Sequence, residues 1–144
     1  MQASFNLKKD PFALLLFATI LLLLALALRP LVNIDFQDKV VFGLPLNNVV
    51  WMIPLFLIGF WLLYLSTKQF LYSITATWIH VLTTVISTLL LVAVLYIGIN
   101  PLPYLSERHE MIGNAVQMLT LLFLAAQVIY LANVGIGLLS RRKA

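Results

Sequence analysis

The sequence predicts an all-α integral membrane protein, a four-transmembrane-helix bundle with both termini cytoplasmic. Three observations carry that expectation: a composition too apolar for water, four nearly uncharged runs of membrane-crossing length, and an uneven placement of basic residues. The chain of 144 residues is 62% hydrophobic and 10% charged, with a mean hydropathy of +1.04. Soluble domains average roughly 45–50% apolar and about 25% charged residues, so this chain has too little polar surface to coat a globule in water.

Composition also excludes function classes. With no cysteine, the chain cannot use thiol chemistry, a disulfide relay, an iron–sulfur cluster or thiolate-ligated zinc. The net charge of +4 does not mark a nucleic-acid surface, because the nine Lys and Arg are scattered singly or sit in short clusters near the chain ends. That distribution is a membrane-topology signal, and no nucleic acid is expected as a partner.

A transmembrane helix needs about 20 mostly apolar residues to cross about 30 Å of hydrocarbon. The first candidate runs from about Phe12 to about Leu31, without charge until Arg29. Lys8 and Lys9 precede it as in a secretory signal peptide. Its apolar run, however, exceeds the roughly 7–15 residues of such a segment, and Arg29-Pro30 follows in place of a small-x-small cleavage site, so a retained anchor is expected. The second runs from about Val49 to Leu65, with Pro54 near its start, where a missing N–H costs little. The third runs from about Phe70 to Ile99 and is long enough to tilt or project. The fourth runs from about Ile112 to Leu139. Residues 1–144 are thus expected to form a single membrane domain with no folded soluble part.

Orientation follows from the basic residues near the span ends. Lys8, Lys9, Lys68, Arg141, Arg142 and Lys143 fall on one side, against Arg29, Lys39 and Arg108 on the other. The first group predicts the cytoplasmic face. Of the two outward loops, residues 32–48 are interrupted by Gly43 and Pro45 and suit an extended or re-entrant surface segment. The other, residues 100–111, holds Ser106, Glu107 and Glu110, which read as the start of the fourth helix one turn before the hydrocarbon.

Inside the spans no Asp, Glu or Lys occurs, and Arg29 at the end of the first is the lone Arg. Such acids equip proton-coupled transporters and carboxylate metal sites, so small multidrug exporters, ion pumps and hydrolytic metalloenzymes are disfavoured and no metal site is expected. The polar groups that remain are neutral and patterned. Ser73, Thr77, His80, Thr84 and Ser87 recur at helical spacing on the third span. Gly113, Gln117, Thr120, Leu124 and Gln127 form a similar stripe on the fourth, with Tyr130 and Asn133 nearby. Hydrogen-bonding and small residues hold membrane helices together, so the two stripes are expected to face each other as a helix-packing seam, with a hydrogen bond from His80 to Gln127 or Tyr130.

His80 also admits a cofactor reading, since an intramembrane histidine can ligate haem or copper, or relay protons. Bis-histidine haem ligation within one chain would need a second histidine at the same depth, and His109 lies some 25 Å or more away along the helix axis. A homodimer would have to bring two copies of His80 together. His109, beside Arg108 and two glutamates, reads as a solvated loop residue. Trp51, Trp61, Trp78, Tyr64, Tyr72, Tyr96 and Tyr104 mostly fall near span ends as interfacial belts. Gly59, Gly98, Gly135 and Gly137 are candidates for close helix approach, and no GxxxG pair occurs among them.

Three stretches carry a family resemblance: Asn33-Ile34-Asp35-Phe36-Gln37; then Trp61-Leu62-Leu63-Tyr64 through Phe70-Leu71-Tyr72-Ser73 and Thr77-Trp78-Ile79-His80-Val81-Leu82-Thr83; and Gln127-Val128-Ile129-Tyr130-Leu131-Ala132-Asn133. Together they resemble short four-span bacterial membrane proteins that lie near haem–copper (cytochrome c) oxidase subunit I. That group carries a His-Asp-Thr-Tyr type motif just after the Asp-x-Gln element. Here the corresponding residues are Asp38-Lys39-Val40-Val41-Phe42, and Asn47, Asn48 and Val49 stand where an oxidase places histidines. Trp78 and His80 match the group, while the metal-ligand histidines are missing. The resemblance implies a respiratory-membrane setting in the bacterial inner membrane, and the residues deny oxygen-reducing chemistry.

The expectation that follows is a non-enzymatic accessory or scaffolding subunit of a bacterial envelope complex, respiratory if the resemblance holds. Its partners would be the lipid bilayer and other membrane subunits or further copies of itself. The alternatives are a haem- or quinone-binding electron carrier using His80 across a dimer interface, and a small-molecule transporter with its site at the seam.

Overall fold

The structure, a computed structural model, describes residues 10–28, 40–41, 43–99 and 109–141. In order these form α1 (Ala13–Leu28), β1 (Val40–Val41), β2 (Leu44–Pro45), α2 (Leu46–Thr67), a 3-10 turn (Lys68–Phe70), α3 (Ile74–Ile99) and α4 (His109–Arg141). Three helical stretches, Asn48–Phe70, Ile74–Gly98 and Glu110–Ser140, are long and apolar enough to cross a membrane. The chain is a helical membrane protein. α1 has 16 residues, about 24 Å at 1.5 Å per residue, less than the hydrocarbon thickness. Arg29, Pro30 and Leu31, which the expected first span includes, lie outside the described residues, as do Lys8, Lys9, Asn33 to Lys39, Asn100 to Arg108, Arg142 and Lys143.

The chain divides into two compact units, Met1–Gln69 and Phe70–Ala144. In the first unit α1 packs on α2. Pro11 and Phe12 lead in through successive backbone bonds from Ala13, Leu14 and Leu15 to the carbonyls of Asp10, Pro11 and Phe12. Phe12, Leu15, Ala18, Thr19 and Leu22 are buried at spacings of three and four, one face of a helix. From α2, Pro54, Leu57 and Tyr64 are fully buried. Phe12 stacks on Tyr64 with ring centroids 5.5 Å apart and planes at 9°, which joins the start of α1 to the end of α2. The buried polar side chain here, Thr19, donates to its own helix at the Leu15 carbonyl, 2.7 Å away.

Ahead of α2, residues expected to be an extended or re-entrant segment form a tight hairpin, with Val40 opposite Pro45 and Val41 opposite Leu44. Gly43 makes the reversal at φ 77°, a conformation that side-chain-bearing residues rarely adopt. Because β2 runs directly into the helix, α2 begins at Leu46 and not near Val49, which puts Pro54 in its interior. The missing N–H therefore interrupts an established ladder and is not cheap, contrary to the expectation of a Pro near the helix start.

The second unit is the hairpin of α3 and α4. α3 starts at Ile74, later than expected, because Ser73 caps it: the Ala76 N–H donates to Ser73 Oγ at 3.3 Å. At the other end α4 begins at His109 with Glu110 in its first turn. His109 is therefore a helical residue and not the loop residue expected, since an acid near the positive end of the dipole lets the helix start early.

Candidate functional site

Five polar residues of α3 share one buried face, while Thr75 is exposed and Thr83 half-buried elsewhere. Thr77, His80 and Thr84 are each 0% exposed, and Ser87, Thr88 and, on α4, Asn133 are buried with them. These side chains are neutral, and Thr77, His80 and Thr84 meet side chains of α4 in two clusters.

At the centre, His80 Nε2 lies 3.0 Å from Gln127 Oε1. The Gln127 amide nitrogen donates to the Phe123 carbonyl at 2.7 Å. A carbonyl oxygen only accepts, so the amide must point its nitrogen at Phe123 and its oxygen at His80, which in turn must carry its hydrogen on Nε2. Thr84 Oγ1 completes the cluster, 3.3 Å from His80 Nε2 and 3.4 Å from Gln127 Nε2, from which it accepts. Tyr130 meets His80 by its ring, centroids 5.5 Å apart and tilted 41°.

Nearer the start of α3, Asn133 ties the entry segment to α4. Its Oδ1 accepts from the Ser73 backbone N–H at 2.8 Å, and its amide nitrogen donates to the Ser73 carbonyl and to Thr77 Oγ1, both at 3.0 Å. The Tyr72 N–H donates to the Asn133 carbonyl at 3.3 Å. One turn further along α4, a Cβ built on Gly137 would overlap the Phe70 carbonyl oxygen and stand 2.8 Å from its carbon. Only glycine allows the backbone of residues 70–72 to lie this close. At the opposite end of the hairpin a Cβ on Gly98 would sit 3.2 Å from Ile112 Cγ2, while Gly59 and Gly135 have open space around them.

The seam expected from sequence is thus assembled by Ser73, Thr77, His80, Thr84, Ser87, Gln127, Tyr130 and Asn133. Gln117 is not part of it: the side chain is exposed on the far side of α4. Thr120 is half-buried and donates to its own helix at the Val116 carbonyl, 2.8 Å away. The expected stripe through 113, 117, 120, 124 and 127 follows the polar residues Gln117, Thr120 and Gln127. The buried line runs instead through Val116, Ala126, Tyr130, Asn133 and Gly137, and Gln127 reaches into it from the flank. Sequence reasoning also missed the capping role of Ser73 and the particular need for Gly137. Its spacing, four residues after Asn133 and seven after Tyr130, marks its face but not the close approach of Phe70.

Ser87 Oγ donates to the Thr84 carbonyl at 3.2 Å. That carbonyl is the usual acceptor for a threonine at position 88, four residues on. Thr88 Oγ1 is left buried without a hydrogen-bond partner. In chemical terms the seam is a set of hydroxyls, carboxamides and one imidazole turned toward one another. It fixes the register of two helices. Comparison with protein-family models, with curated proteins and with solved structures returns no match.

Proposed function

We propose that the chain is a non-enzymatic accessory or scaffolding subunit of a bacterial inner-membrane complex, crossing the bilayer four times with both ends in the cytoplasm. The observation that carries this reading is the closure of the polar seam on itself. His80, the residue best suited to hold a haem or a quinone, is fully buried and spends its Nε2 hydrogen on Gln127. Such a bond holds two helices together. The resemblance to proteins near oxidase subunit I supports a respiratory complex as the host.

Purification of the tagged full chain from its native membrane in mild detergent tests the proposal. A stoichiometric membrane-protein partner is the expected result. A chain that elutes alone with a bound quinone, or with a Soret band that vanishes in His80→Ala, would replace the subunit by an electron carrier. Substrate uptake into vesicles would replace it by a transporter.

A further inference from the structure

We draw no further inference here: the strongest candidate, the apolar groove on α2 lined by Met52, Leu55, Phe56, Gly59, Phe60 and Leu63, carries nothing, because nothing in the structure shows what covers it.

Discussion

The two helical hairpins of this chain are held by different forces. α1 packs on α2 through Leu15, Leu57, Leu22 and the stacked rings of Phe12 and Tyr64, and its buried Thr19 bonds within its own helix. α3 packs on α4 through bonds that cross between the helices, from His80 to Gln127 and from Asn133 to Ser73 and Thr77. Apolar packing is tolerant of small sliding and of volume-conserving exchange. Directional bonds tolerate neither, because a shift by one residue leaves donors and acceptors unpaired in a medium that cannot replace them. The second hairpin is therefore fixed in register in a way the first is not.

The contrast breaks most severely at Gly137. Replacing it with Ala drives a methyl group into the backbone carbonyl of Phe70, and backbone cannot step aside as a side chain would. We expect a loss of about 3 kcal/mol or more, at or beyond the upper range of overpacking, read as the midpoint of unfolding by dodecyl sulfate in mixed micelles. Gly135→Ala, two residues away with open space around it, should be unchanged or slightly more stable. Equal behaviour of the two variants would mean that the close approach of residues 70–72 to α4 does not exist in the membrane.

Asn133→Leu comes next. It strips partners from the Ser73 backbone and from Thr77 Oγ1 at once, for an expected cost of about 2–3 kcal/mol. Amide exchange at Ser73 and Thr77 should accelerate before that at the middle of α3.

His80→Leu removes one bond and leaves Gln127 Oε1 without its partner, so a loss of about 1–2 kcal/mol is expected. Gln127→Leu should cost a similar amount. The double variant should recover part of the sum, with a coupling of about 0.6–1 kcal/mol, because neither orphaned group is left behind. Strict additivity would show that the two side chains do not interact.

How far the sequence foretold this arrangement depends on whether a residue's chemistry reports its face. On α3 it does: polar side chains at spacings of three and four in an apolar helix have nowhere to go but a partner, and Thr77, His80 and Thr84 are found there. On α4 it fails toward the start of the helix, where Gln117 marks the outer face and the buried positions Val116 and Ala126 carry no polar sign. Helix ends were displaced for local reasons invisible to hydropathy: the Ser73 cap shortens α3 at its start, and the hairpin before Leu46 lengthens α2. The clasp at Gly137 depends on where a non-helical backbone passes, which periodicity alone does not describe.

The smallest expected effect has the opposite sign. Thr88 Oγ1 is buried with no partner, its natural acceptor already taken by Ser87. Valine has nearly the same shape without the hydroxyl, so Thr88→Val removes an uncompensated polar group and should leave the hairpin equally stable or up to about 1 kcal/mol more stable. Thr77→Val, three turns earlier on the same face, takes a hydroxyl that Asn133 uses and should lose about 1 kcal/mol. Thr19→Val in the first hairpin, where the hydroxyl serves only its own helix, should fall between them. That ranking separates polarity that joins helices from polarity that is merely buried. If Thr88→Val destabilised as much as Thr77→Val, position 88 would hold a bond with a water or a neighbour, and the seam would extend one turn further than its present hydrogen bonds do.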